Sequence, residues 1–102
     1  MDGTSQLKTG EISGSTSAKQ LLDENGKGVS CSFVRIRAAG SNSGNVYIGH
    51  SSSVTKPDGT TDSTTGDELD ANEEKYYFVD NISRLWMVCD GAGDDIIYTA
   101  FK

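Results

Sequence analysis

A catalytic centre in this chain would have to be built around His50, because it is the only histidine. His50 follows the strand-like residues 46–49 and precedes three serines, Ser51 to Ser53. A nucleophile and its base must touch, and a third group must orient the base. Adjacent strand positions point to opposite faces, so His50 and Ser51 are poorly placed to pair. The sequence therefore predicts no catalytic residues and a protein that is not an enzyme.

The two cysteines, Cys31 and Cys89, lack the paired spacing of a structural zinc site. Both lie in apolar, strand-like stretches, and a chain without a secretion signal keeps its thiols reduced. We therefore expect two free, mostly buried thiols. A disulfide would form only if the two strands were neighbours.

Calcium is the ligand that needs closer attention, because Asp90, Asp94 and Asp95 in the segment DGAGDD are hard oxygen donors. Asp80 and Asn81 could add to them. The spacing differs from that of the twelve-residue calcium loop, and a tight turn between two strands explains the segment more simply. The prediction is accordingly no metal and no cofactor.

The charge balance limits the classes of partner. The net charge is −6 and the isoelectric point about 4.5. Nucleic-acid binding requires clustered Lys and Arg, and the only close basic pair here is Arg35 and Arg37. Nucleic acid and anionic membrane surfaces are therefore not expected as partners. The first residues lack a basic opening and an apolar block, which predicts synthesis in the cytoplasm without a signal peptide.

Strand patterns dominate the rest of the chain. Val34, Ile36 and Ala38 alternate with Arg35 and Arg37, and similar β-branched and aromatic runs occupy residues 45–49, 75–82, 84–89 and 95–101. Turn-forming Gly, Asn and Asp separate these runs. The pattern predicts an all-β fold, a small antiparallel β-sandwich or barrel of jelly-roll type. Residues 29–39 and 45–49 are predicted to pair as a hairpin, with a bulge or bend near residues 33–34.

The two polar segments are predicted to differ in role. Residues 1–17 hold few apolar side chains, which predicts a flexible N-terminal arm ahead of one β-sandwich domain at 18–102. Leu7 and Ile12 are the anchors with which this arm would attach to a partner. Residues 50–66 are rich in Ser, Thr, Gly and Asp and predict a long loop, after which Leu69 anchors an acidic stretch.

Aromatic residues are concentrated in two successive predicted strands, at Tyr76, Tyr77, Phe78 and Trp86. Both faces of that pair would carry an aromatic side chain, whereas one face of a two-layer sandwich is ordinarily polar. Two interpretations stay open. The extra rings form an outward patch that docks a partner or stacks on sugars, or they are core on both sides of a twisted sheet.

Four segments carry a resemblance to a known class of proteins. They are GNVYIG (44–49), GDELDANE (66–73), YFVDNISRLWMV (77–88) and GDDIIY (93–98). In this order they resemble small β-sandwich virion structural proteins of tailed bacteriophages, which include capsid decoration or cement proteins and fibre modules. The match spans a little over half the chain. It departs at Asn72, where those proteins usually have Gly, although Asn tolerates a left-handed backbone.

The resemblance implies a non-enzymatic decoration or cement protein on the capsid surface of the virion. Its partners would be the major capsid protein, other virion proteins and sister copies in a homo-oligomer, with a trimer among the options. The residues predicted to bind partners are Leu7, Ile12, Tyr47, Tyr77 and Trp86. The alternative function is a carbohydrate-binding module of a phage fibre or polysaccharide-acting protein, with Tyr47, Tyr77 or Trp86 stacking on sugar rings.

Overall fold

The computed structural model describes residues 7–102, which form eight β-strands and one 3₁₀ turn. The strands are β1 (Leu7–Ile12), β2 (Lys19–Gln20), β3 (Phe33–Ala38), β4 (Val46–Gly49), β5 (Asp67–Leu69), β6 (Glu74–Tyr77), β7 (Trp86–Cys89) and β8 (Ile96–Phe101). The 3₁₀ turn, Ile82–Arg84, connects β6 to β7. Within residues 7–102 there is no α-helix.

The strands form two four-stranded sheets. The first sheet has the order β1-β8-β3-β6 and the second the order β2-β7-β4-β5. Every pair of neighbouring strands is antiparallel. The predicted all-β fold, a small antiparallel β-sandwich, is confirmed.

The core between the sheets follows from alternation along the strands. In β3, Val34, Ile36 and Ala38 are fully buried while Arg35 and Arg37 face outward, as predicted. Other strands and loops supply the remaining large, fully buried side chains, which are Leu21, Val46, Leu69, Ile82, Met87, Cys89, Ile96 and Tyr98. The predicted anchoring of the acidic stretch by Leu69 is thus confirmed.

The predicted N-terminal arm differs from the structure at residues 7–12. These residues form β1, and all six pair with β8, from Leu7 opposite Phe101 to Ile12 opposite Ile96. Main-chain hydrogen bonds to β8 require few apolar side chains, which is why a polar segment can still be a strand. Gly10 lies so close to the Tyr98 ring that a Cβ there would come within 2.7 Å of it. Residues 1–6 of the predicted arm lie outside the described residues.

The predicted hairpin of residues 29–39 and 45–49 is wrong, because β3 and β4 belong to different sheets. β3 pairs with β6 and β8, whereas β4 pairs with β5 and β7. β6 and β7, on either side of the 3₁₀ turn, also belong to different sheets, so Tyr76 and Trp86 do not lie on one sheet. Gly and Asn between two strands predict a turn, but they do not indicate whether the next strand joins the same sheet.

Asp94 and Asp95 hold the connection that crosses between the sheets. The buried Asp94 carboxylate accepts hydrogen bonds from the backbone N–H groups of Ser43, Gly44 and Gly91, at 3.1, 3.1 and 2.8 Å. Asp95 accepts one from Gly14 N–H at 3.0 Å. Among residues 7–102 no group of three or more acidic, His or Cys side chains is arranged to hold a metal ion. The carboxylates of Asp94 and Asp95 thus connect separate loop segments through main-chain hydrogen bonds.

Two smaller expectations have clear outcomes. Asn72 adopts φ = 69°, the left-handed backbone that Asn was expected to tolerate at this position. Cys31 and Cys89 are both free. Cys89 is buried as expected, whereas Cys31 is half-buried, with its Sγ 3.2 Å from the Val79 carbonyl oxygen.

Candidate binding face

The outer side of the first sheet carries an exposed group of aromatic rings. Strand register places Leu7, Phe101 and Phe33 side by side, on β1, β8 and β3. On β6 the register pairs Arg35 with Tyr76, and Phe78 follows directly after that strand. We call Phe33, Tyr76, Phe78 and Phe101 the aromatic face.

The rings of the aromatic face contact one another through Phe33. Its centroid lies 4.8 Å from that of Phe101 in a stacked arrangement, 5.8 Å from Phe78 and 6.0 Å from Tyr76. The last two pairs are tilted by 41° and 49°. Although both rings contact Phe33, Phe78 remains 82% exposed and Tyr76 50% exposed. Exposed large rings grouped in this way are typical of interaction surfaces.

Arginine continues the same surface along the strands. Arg35 lies between Thr99 of β8 and Tyr76 of β6, and its Nη2 donates to Thr99 Oγ1 at 3.1 Å. Arg37 is two residues further along, opposite Ile97 and Glu74. The outer face of the first sheet thus runs from aromatic residues at one end to guanidinium groups beyond them.

The outer side of the second sheet is also aromatic, but the chain itself covers it. Tyr47, Val54 and Val88 form a buried cluster, with Trp86 and Ala18 partly buried against it. Val54 belongs to the loop 50–66, and it lies against Gly49 and Gly66 at the two ends of that loop. Tyr47 Oη donates to Asp90 at 3.2 Å, and burial together with this carboxylate raises the pKa of Tyr47.

The five residues predicted to bind partners occupy different places. Leu7 is 45% exposed at the end of β1, beside Phe101. Ile12 is buried in the main core, and Tyr47 is only 7% exposed beneath the loop. Tyr77 and Trp86 are half-buried, against the main core and against the Tyr47 cluster respectively. The structure therefore does not bring these five residues together on one surface.

Sequence reasoning missed Phe33 and Phe101 as surface residues, although it included Tyr76 and Phe78 in its aromatic group. The signal available for Phe33 was the alternation of side chains along β3. Phe33 is an even number of residues from Arg35 and Arg37, so all three side chains face the outer side of the sheet. β3 begins at Phe33, and Ser30 makes only an isolated bridge to Asn81. The predicted irregularity therefore falls just before Phe33, which is already part of the regular alternation of β3.

The open edge between β5 and β6 holds a polar link. Tyr77 Oη donates to Asp67 at 2.8 Å, and Lys75 Nζ lies 2.9 Å from the same carboxylate. Burial is the larger cause and the neighbouring Asp67 carboxylate the second; together they raise the pKa of Tyr77 well above its usual range. This phenol therefore stays protonated and joins the two sheets at their edge.

His50 is exposed and lines the same open cavity as Asp67 and Tyr77. The nearby Ser51 Oγ accepts a hydrogen bond from the backbone N–H of Ser53 at 3.2 Å, within its own turn. The serine that follows His50 in sequence is thus engaged locally.

Comparisons add no relative to these observations, since no protein-family model, curated protein or solved structure matches the chain. Between Leu7 and Lys102 we find no helix of the length and apolar character that crossing a bilayer demands.

Proposed function

We propose that this protein is a non-enzymatic structural protein of a bacteriophage virion, a decoration or cement protein that binds the capsid through its aromatic face. The exposure of Phe78 and Tyr76 is the observation that carries the proposal. When a partner covers large rings that are otherwise exposed to water, the free energy of the complex falls by about 25 cal/mol for each Å² of apolar surface removed from water. The resemblance of four segments to phage virion proteins supports the choice of partner.

A rigid sheet is a suitable base for such a contact. Phe33 and Phe101 lie on paired strands in the middle of the first sheet, so the rings need little ordering when a partner binds. A stable protein interface buries ~1,600 Å² in total, which is more than four side chains provide, so neighbouring residues of the sheet must take part. Repetition over a symmetric shell then strengthens each contact through multivalency, and sister copies add further contacts.

The alternative, a carbohydrate-binding module, has weaker support from the geometry. Its proposed stacking residues were Tyr47, Tyr77 and Trp86, of which Tyr47 is buried and the other two are half-buried. The rings of the aromatic face are tilted against each other, and Phe33 already stacks on Phe101. A flat sugar chain binds best to rings that present open faces in one plane.

The proposal is tested by co-expression with the major capsid protein encoded in the same genome. Particles are separated on a density gradient, and the bound chain is quantified. We expect the wild-type chain to travel with the particles and Phe78→Ser to bind at least tenfold less. Thr60→Ala, an exposed change in the loop 50–66, is the matched control and should bind as the wild type does.

Two results would contradict the proposal. A wild-type chain that never travels with particles rejects the virion role. A Phe78→Ser chain that binds as well as the wild type rejects the aromatic face as the point of attachment. Specific binding to a glycan array without particle binding would support the carbohydrate alternative instead.

A further inference from the structure

The charges beside the aromatic face point to the chemistry of its partner. Phe33, Arg35 and Arg37 occupy alternate positions of β3 and therefore face the same side of the first sheet. Alternate residues of a strand lie ~7 Å apart, so Arg35 is one such step from Phe33 along β3 and Arg37 is two. A partner seated on the rings would reach Arg35 and Arg37 as well.

These two arginines lack the counter-charges that four other basic residues have. Lys8, Lys56, Lys75 and Arg84 each have a carboxylate within 4.0 Å. In the described part of the chain neither Arg35 nor Arg37 has one, although Glu74 lies opposite Arg37 in the strand register. Lys19, Lys27 and Lys102 also lack such a carboxylate among the described residues, but Arg35 and Arg37 are the two unpaired cations that lie on one strand and face the same side.

Arg35 also has an unsatisfied donor. Its Nε is buried and has no hydrogen-bond partner among the described residues, while Nη2 bonds only the Thr99 hydroxyl. Burying a donor without a partner costs ~1–3 kcal/mol. Arg35 as a whole is only half-buried, so its other guanidinium donors can meet an incoming acceptor, and a carboxylate matches these planar donors better than any neutral group.

We infer that the aromatic face and the two arginines form one docking site for an acidic, apolar protein segment. The segment would present Asp or Glu beside large apolar side chains, at the spacing of alternate residues in an extended chain. This inference deepens the proposed function, because it rests on the aromatic face being a docking surface and adds the chemistry of what binds there. Single-stranded nucleic acid fits less well, since two arginines on a chain of net charge −6 offer little neutralisation of phosphates.

A displayed library of random twelve-residue peptides, selected on the full chain, tests the inference without any virion component. We expect the enriched peptides to combine Asp or Glu with Phe, Trp, Leu or Ile two positions away. The strongest peptide is then synthesised with a fluorophore, and its affinity is measured by polarisation. Arg37→Gln should weaken binding about tenfold, as expected for a charge-assisted hydrogen bond.

The matched control is Arg84→Gln, which makes the same charge change at an exposed ion pair with Asp80. It should leave affinity within twofold of wild type. A reciprocal exchange sharpens the result: Arg37→Glu should lose the acidic peptide and bind a version in which Lys replaces the acidic residue. Thermal melts of each variant confirm that the fold is kept, and Arg37 is preferred to Arg35 here because no atom of Arg37 is buried without a partner.

The inference is overturned if no peptide is enriched, if the enriched peptides lack acidic residues, or if Arg84→Gln weakens binding as much as Arg37→Gln. Binding of a single-stranded oligothymidine in competition with the peptide would assign the face to nucleic acid instead. The virion role can fail separately. If the peptide binds as expected but particles do not, the site is correct and the capsid is the wrong partner.

Discussion

The two sheets of this sandwich both carry aromatic residues on their outer sides, yet only one of those sides is covered. On the second sheet, Tyr47 and Val88 lie in a buried cluster to which Val54 of the loop 50–66 contributes. On the first sheet, Phe78 and Tyr76 remain exposed beside Phe33. The same kind of side chain thus contributes to stability on one face and is available for binding on the other.

This difference originates in a loop rather than in the strands. Both outer faces carry aromatic residues, but a chain segment returns over the second sheet and places Val54 on it. Surface aromatics must therefore be judged together with the segments that can reach them. If the contacts on the two faces differ in this way, mutations on the covered face should destabilise the fold and mutations on the open face should not.

The largest effect is expected for Tyr47→Ala on the covered face. The ring is buried and its hydroxyl donates to Asp90, so its removal should lower the free energy of unfolding by ~3 kcal/mol. Tyr76→Ala is the matched control on the open face and should cost less than ~0.5 kcal/mol. Urea unfolding of both variants measures the difference. Equal losses would mean that the two faces are not distinct.

Trp86→Ala should have an intermediate effect, because Trp86 is half-buried against the Tyr47 cluster. A fully buried large aromatic costs ~3–5 kcal/mol when truncated, so we expect roughly half of that. Trp86→Phe retains much of the contact and should recover most of the stability. If Trp86→Ala instead left stability intact and abolished particle binding, the covered face would be the docking surface.

Acid should weaken the covered face through Asp90. A hydrogen bond from the Asn45 N–H, and then the Tyr47 hydroxyl and Lys56, hold the pKa of this carboxyl below its usual value. Since the folded pKa is the lower one, the stabilisation is present above the unfolded pKa of ~3.9 and is lost as pH falls through the folded pKa. Melting temperatures of Asp90→Asn should therefore fall less steeply below pH 4 than those of wild type.

The control for this pH series is Asp58→Asn, which makes the same charge change at an exposed residue of the loop 50–66. It should keep the wild-type acid profile. An Asp90→Asn profile parallel to wild type would show that this carboxylate does not contribute to the pH dependence.

The smallest effect on stability is expected for Phe78→Ser. Its ring is 82% exposed, so the free energy of unfolding should change by less than ~0.5 kcal/mol, despite the loss of a large aromatic side chain. Urea unfolding beside the particle-binding assay separates the two roles. A loss as large as that of Trp86→Ala would show that the ring supports the fold.

The strands themselves were largely predictable, because alternation specifies which side chains face inward. Val34, Ile36 and Ala38 are buried as β3 predicts, and Leu69 is buried although its neighbours are acidic. β1 was not predictable in this way. Its pairing with β8 relies on main-chain hydrogen bonds, which leave little trace in the side chains.

The candidate site was harder to predict than the fold. The sequence indicated outward aromatics, but alternation alone cannot distinguish an open face from one that a loop covers, as at Tyr47. Phe33 and Phe101 come together only because β3 and β8 are neighbours in the sheet, although 68 positions apart in the chain. Long-range pairing of this kind is not encoded in any local pattern.

The loop 50–66 is closed at its base, and this has a practical consequence for engineering. Thr55 N–H donates to the Thr64 carbonyl and Gly66 N–H to the Thr55 carbonyl, at 3.0 and 2.7 Å, while residues 55–63 are all exposed. Doubling the length of a flexible loop costs only ~0.6 kcal/mol in closure entropy. A foreign peptide inserted after Gly59 should therefore be displayed without disturbing the sandwich, on the side opposite the aromatic face.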